Sequence, residues 1–261
     1  MSKTVSIMMM TFNSKEDVEN TLNSIEMQDY PDIEVVIADG GSTDGTLDVI
    51  AEHQKNSKYT INCVSEKDHG LYDALNKDVK RAKGEYLIVG NDQYIDPSAI
   101  SKLVKSLEEN HADGAHCDLI YASDTEVKRY WHMGNGRIQN GWLPGHPTLL
   151  LKKEVYDKYG LYKTDYKIAA DYEFMCRMLK DGTVKLSYVP EILIRMYYGG
   201  TSTGSSASYW ASIKEGVRAL QSNQYHNAWG ITFLRTCRVA KQFKELKKAN
   251  EMWQANSPAK L

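Results

Sequence analysis

Short apolar runs alternate with amphipathic segments through the first third of the chain. Val5–Met10 (VSIMMM), Ile33–Ala38 (IEVVIA), Tyr59–Ser65 and Tyr86–Val89 are of strand length. The first two are continuously apolar or nearly so, as expected of strands covered on both faces. Between them, Val18, Leu22 and Ile25 recur at helical spacing after Ser14, which with Asp17 predicts a capping-box helix start. Leu47–His53 reads as a second helix. Gly70–Ala82 reads as a third, with Leu71, Leu75 and Val79 on one stripe and Gly84 as its stop. The order β-α-β-α-β-α-β predicts a mostly parallel sheet with helices on both faces.

The pattern loosens further on. Pro97–Asn110 predicts a helix, and Leu119–Tyr121 and Glu126–Trp131 shorter, antiparallel strands. Asn135–Pro147 is rich in glycine and polar residues and predicts a loop. Lys153–Tyr159 and Ala169–Lys180 predict helices, each stopped at a glycine. Lys185–Val189 and Ile192–Tyr197 predict two strands on either side of Pro190-Glu191, and Gly199–Ser208 a flexible polar loop. From Tyr209 to about Ala255 the chain reads as helical. This divides it into residues 1–208, a catalytic-type α/β domain, and residues 209–261, a helical, basic, amphipathic extension.

In parallel α/β sheets ligands bind beyond the carboxyl ends of the strands. Here each early strand ends in a polar cluster: Thr11/Asn13, Asp39/Ser42, Ser65/Glu66 and Asn91/Asp92. Four clusters converging on one edge predict a binding site there. Composition adds little to this picture. The 261 residues carry a net charge of −2, with 42% hydrophobic and 25% charged residues, ordinary for a globular protein and no global signal for nucleic acid. The four cysteines, Cys63, Cys117, Cys176 and Cys237, form no CxxC pair, which argues against a zinc site or disulfide framework and fits a reducing, cytoplasmic compartment. No apolar run approaches the length of a membrane span.

Four constellations could carry chemistry, and each also has a plain structural reading. Asp39-Gly-Gly-Ser42-Thr-Asp44 could receive a nucleobase, with Asp39 accepting from a base N–H; spacing alone favours a plain βα turn with Asp44 as a helix cap. Glu66 through Gly70, Asp73 and Asn76 leads into a helix N-terminus, where free N–H groups and the dipole suit a diphosphate, or where acidic residues simply favour the helix. Asp92 in Asn91-Asp92-Gln93 could hold Mg²⁺ or Mn²⁺, or bond its own turn. Asp171, in Ala-Ala-Asp171-Tyr172-Glu173, could act as a general base, or merely complement a helix dipole.

Taken together, TFN, ADGGSTDGT, SEKDHGLYDALNK, the short acidic turn and AADYEFMCRML resemble the family 2 glycosyltransferases of the GT-A fold, in the style of bacterial enzymes of O-antigen, capsule or exopolysaccharide synthesis. The resemblance covers residues 4–205. It implies that Thr11, Phe12 and Asn13 line a nucleotide pocket, that Asp39 contacts the base, most naturally uracil, with Ser42 beside it, and that Glu66, Gly70, Asp73, Asn76 and Asn91 surround the ribose, phosphates or sugar of the donor. Asp92 becomes the metal contact and Asp171 the base of an inverting displacement. Gly199, Gly200 and Ser202 match a loop that closes over the diphosphate, while His146, Tyr172 and Glu173 fall on the acceptor side. Where relatives usually carry a second aspartate this chain has Gln93, so cation binding should lean on the donor's own phosphate oxygens.

The implied partners are a UDP-sugar, a glycan or lipid-linked acceptor, and a second copy of the chain. Ile231–Lys248 intersperses Arg235, Arg238, Lys241, Lys244, Lys247 and Lys248 with Ile231, Leu234, Phe243 and Leu246. That pattern suits either peripheral contact with an anionic inner-membrane surface or packing on the protein itself. Two other functions stay open at this stage: a sugar nucleotidyltransferase, and a sugar-nucleotide-binding protein without catalysis.

Overall fold

A computed structural model describes residues 3–123, 125–197, 206–243, 246 and 249–250. The four early runs form β1 (Val5–Thr11), β2 (Ile33–Asp39), β3 (Thr60–Ser65) and β4 (Tyr86–Val89), parallel and in the order β3-β2-β1-β4. Helices α1 (Lys15–Glu26), α2 (Thr46–Asn56) and α3 (Leu71–Arg81) connect them.

Side-chain alternation explains why these runs are apolar on both faces. Val5, Ile7 and Met9 of β1 pack with Val18, Leu22 and Ile25 of α1, while Met8 points the other way, onto Leu75 and Val79 of α3. Val35 and Val36, and Leu87 and Ile88, divide between the two layers in the same manner.

Beyond β4 the sheet becomes mixed. It continues through β8 (Leu150–Lys152), β6 (Gly114–Ala122), β9 (Leu186–Tyr197) and the two-residue β5 (Gln93–Tyr94), with β7 (Val127–Trp131) antiparallel to β6. β8 runs antiparallel to both β4 and β6, and β6 runs parallel to β9. Helices α4 (Ala99–Glu109), α5 (Lys153–Tyr159), α6 (Ala170–Leu179), α7 (Ser206–Ser222) and α8 (Ala228–Lys241) follow in the described residues.

Three expectations are corrected. The two strands around Pro190-Glu191 are one strand, β9. Its pairing with β6 jumps from Cys117↔Val189 to Asp118↔Ile192, so the proline, which has no N–H to give, sits in a bulge. The C-terminal helix is broken between α7 and α8, where Asn227 adopts a left-handed conformation (φ 58°) and its side chain accepts from the Gly230 N–H. Ser14 makes no side-chain cap with Asp17. Asp44 does the capping instead: its carboxylate accepts from the N–H of Thr46 and of Lys15, starting α2 and α1 together. Val217, Leu220, Ala228 and Ile231 of α7 and α8 belong to the same core layer as Phe174 and Met175 of α6.

Candidate functional site

The polar strand ends converge as predicted. Thr11 is in register with Asp39, and Asp39 with Ser65, at the carboxyl edge of β1, β2 and β3. Asp39 is buried, and its carboxylate accepts from the Gly41 and Ser42 N–H groups and from the hydroxyls of Ser42 and Ser65, at 2.5–2.9 Å. Burial alone would raise its pKa; the Ser42 and Ser65 hydroxyls and the two N–H donors outweigh it, and the net shift is downward. Asp39 therefore stays ionised and shapes the loop around itself. Ser42 in turn accepts from the Asn13 N–H, and the Asn13 side chain accepts from the Thr43 N–H. Phe12 projects from this loop, 62% exposed, an apolar plate with nothing stacked on it among the described residues.

The start of α3 lies beside it. Gly70 has φ +117°, and the space where a side chain would stand is open. A glycine here lets the chain turn into the helix while keeping its first N–H groups approachable. Glu66 is held by Arg81 and Lys77, at 2.7 and 3.4 Å, and Asp73 by Lys77 and the His69 N–H. Asn76 points elsewhere: its amide pairs with both backbone groups of Tyr162. It ties α3 to the loop before α6 and is buried in doing so.

In the acidic turn, the Asn91 side chain pairs with both backbone groups of Met10, extending the β1–β4 ladder by one residue. Gln93 accepts from Arg195 of β9 at 3.0 Å. Asp92 faces a small recess of about 140 Å³ with Glu16, Asp17 and Asn20. Burial, with Asp17 adding to it, raises its carboxyl to about 7. Among the described residues no group of three or more His, Cys, Asp or Glu side chains is placed to hold a metal ion. A single carboxylate with substrate phosphates is still the donor set Mg²⁺ commonly takes, so Asp92 fits a cation that arrives with a diphosphate and not one caged by protein alone.

The main cavity, about 800 Å³, opens between the start of α3, the start of α6, β7, the loop after β7 and α8. Asp171 and His146 both line it. The Tyr72 hydroxyl reaches the Asp171 carboxylate at 3.2 Å and the Ile168 carbonyl at 2.7 Å. The segment before α6 is clamped from the other side by Glu215 of α7, whose carboxylate accepts from the N–H groups of Lys167, Ile168 and Ala169, each at 2.9 Å. His146 bonds the Tyr162 hydroxyl at 2.9 Å; burial lowers its pKa against the opposing pull of Asp171, so its imidazole is neutral at pH 7. Tyr172 also borders the cavity, with the Arg235 guanidinium over its ring.

Glu173 does not reach the cavity. It is fully buried, paired with Lys163 and Arg177 at 2.7 and 2.9 Å and bonded by Asn223, and serves to lock α6 to its neighbours. Gly199, Gly200 and Ser202 lie outside the described residues. Sequence reasoning missed Tyr72 and Glu215, which hold the Asp171 segment. Neither belongs to a local pattern; each acts on residues distant in sequence, and only the fold brings them together.

The model for the family described as "Glycosyl transferase family 2" matches residues 6–182. The chain is 27% identical over 220 residues to an uncharacterized glycosyltransferase of Haemophilus influenzae, covering 77% of this chain and 67% of that one. It is 25% identical over 205 residues to a PGL/p-HBAD biosynthesis glycosyltransferase of Mycobacterium tuberculosis, covering 76% and 78%. Among solved structures it resembles S. aureus TarS in complex with UDP-GlcNAc, with TM-score 0.70 and 18% identity over 90% of this chain and 72% of that one. It also resembles a mannosyltransferase from Pyrobaculum calidifontis in complex with GDP-Man and Mn²⁺, with TM-score 0.66, 16% identity, and 92% and 75% covered.

Proposed function

This chain belongs to glycosyl transferase family 2, and from that premise we propose that it is an inverting enzyme that moves a sugar from a UDP-sugar to a hydroxyl of a glycan or lipid-linked acceptor in cell-surface polysaccharide synthesis. The observation that carries the reading is Asp171. It stands at the first turn of α6, in the main cavity, oriented by Tyr72, and among the described residues it is the one carboxylate lining that cavity.

The chemistry follows from that placement. The acceptor hydroxyl lies in the cavity and gives its proton to Asp171 as its oxygen attacks the anomeric carbon. The bond from that carbon to the diphosphate oxygen breaks, and the nucleoside diphosphate leaves with the electron pair. Attack opposite the leaving group inverts the centre. The Asp39 loop and Phe12 receive the base, with Ser65, the hydroxyl donor from a separate strand, the bond a base N–H would replace. The open N-terminus of α3 at Gly70 faces the phosphates. A divalent cation bound with the donor would supply charge neutralisation for the leaving group, with Asp92 as its protein ligand. UDP and UDP-GlcNAc in the TarS complexes support a uridine donor, while the GDP-mannose of the Pyrobaculum enzyme defines the competing choice.

A peripheral membrane role is part of this proposal. No described helix is long and apolar enough to cross a membrane. Trp229 and Phe233, one turn apart on α8, are 61% and 67% exposed, and paired aromatics of this kind suit a lipid interface. Arg235, Arg238 and Lys241 also line the cavity, so the exposed aromatics are the part of α8 this proposal gives to the bilayer.

A panel of nucleotide sugars, read by hydrolysis and thermal shift with and without Mn²⁺, tests the donor. UDP-sugars should stabilise the protein and be turned over. Asp171→Asn should lower turnover by about 10²-fold or more while UDP still binds; an Asp171→Asn protein as active as wild type would remove Asp171 from the mechanism.

A further inference from the structure

The end of the main cavity under α8 is rich in cations. Arg129 of β7 and Arg235, Arg238 and Lys241 of α8 line it, and among the described lining residues the one carboxylate is Asp171. Among the described residues no carboxylate forms an ion pair with Arg235, Arg238 or Lys241. Three cations of one helix thus share an open, aromatic-walled space in which, among the described residues, no carboxylate is paired with them. Such an arrangement concentrates positive potential in the cavity and raises the local concentration of anions.

The arginines are also held in place. The Arg235 guanidinium lies 4.4 Å from the centre of the Tyr172 ring, and its Nη1 packs within 3.2 Å of where a side chain on Gly216 would begin. Arg238 donates through Nε to the Asn140 carbonyl at 3.0 Å, which fixes the guanidinium and leaves its two terminal nitrogens for a further partner. Arg129 is stacked over Tyr121 at 4.5 Å and bonds Gln242. α8 itself is seated closely: Gly141, at φ +67°, brings its α-carbon so near that an added methyl would stand 2.4 Å from the Arg235 backbone nitrogen. A guanidinium fixed by stacking loses little freedom when it meets a two-oxygen anion, and its fork matches carboxylate and phosphate geometry.

We propose that this end of the cavity is a subsite for an oxyanion, a phosphate or carboxylate, carried by the acceptor, with Arg235, Arg238 and Lys241 as its ligands. The proposal rests on the glycosyltransferase reading only in taking the cavity as the acceptor side. The acceptor hydroxyl is then presented to Asp171 while its charged group is gripped under α8, so that neutral saccharides of the same shape are poor acceptors.

Trp131 and Trp142 line the cavity and report on its occupancy by fluorescence. The test titrates the whole protein with glucose, glucuronic acid, glucose 6-phosphate and farnesyl phosphate, alone and with UDP present. The two sugar anions distinguish carboxylate from phosphate, and the prenyl phosphate distinguishes a lipid source from a soluble one. At least one anion should bind tenfold or more tightly than glucose, and that preference should fade with added salt and disappear in the double variant Arg238→Gln/Lys241→Gln. Both side chains are exposed, so this variant should fold, as an unchanged melting temperature would verify; Arg235→Gln provides an independent second lesion. UDP affinity should be the same in wild type and variants. Equal binding of glucose and all three anions, or an anion preference that survives both lesions, overturns the subsite. So does a tenfold loss of UDP affinity in the double variant, which would assign the cations to the donor diphosphate. Failure of wild type to bind UDP at all would count against the donor assignment and leave the subsite to be judged on the anion titrations.

Discussion

Asp78 of α3 is fully buried, and desolvation pushes its carboxyl up to about 8, with Arg81 and the Ala38 backbone opposing. The unfolded chain loses this proton near pH 4, whereas the folded chain keeps it until about 8. The unfolded state therefore binds fewer protons between those limits, and this residue's contribution to stability falls as pH rises through them. Asp78→Asn should melt several degrees higher than wild type at pH 8, with the difference shrinking to nothing below pH about 4; a constant difference across pH would show that Asp78 does not titrate this way. This acid carried no signal in the sequence, because one turn of amphipathic helix does not reveal which polar residue faces the sheet. Asp39 and Asn76 were visible as polar residues in place, yet what they bond was not. Asp39 is surrounded by donors from its own loop and from Ser65, and Asn76 is taken up by Tyr162, eighty-six positions away.

At the scale of elements, the segment 167–169 leading into α6 is set by α7 rather than by its own sequence. Glu215→Ala removes three charge-assisted hydrogen bonds, each worth about 1.5–3 kcal/mol in general. Asp171 should lose its fixed position, lowering kcat by about tenfold or more with UDP affinity retained; Glu215→Gln, which still accepts hydrogen bonds, should recover much of the loss. Stopped turnover in both together with lost UDP binding would mean general unfolding instead. The β-α alternation of the first half was legible because each strand is buried on both faces and each helix on one. The second half was less so. β5 and β8 have two and three residues and are strands only by virtue of their neighbours. The proline in β9 reads as a break because sequence cannot show that the partner strand tolerates a bulge. The division of the C-terminal helix depends on a left-handed Asn227, a conformation few side chains adopt and none announces.

For the whole molecule, the C-terminal helices carry two distinct surfaces. One closes the cavity with cations; the other exposes Trp229 and Phe233. The basic, apolar pattern was readable, but not which residue faces which way, since that depends on how Gly141 and Asn140 seat α8. Trp229→Ser with Phe233→Ser should release the protein from vesicles containing anionic lipid in a flotation assay while leaving UDP binding intact. Vesicle binding equal to wild type would remove the membrane role. The central claim concerns the reaction itself: a sugar displaced from a UDP donor in one step, with Asp171 as the base. Proton NMR of the product made from an α-linked UDP-sugar tests it most directly. The account predicts a β-linked product at the first turnover; an α-linked product would contradict it.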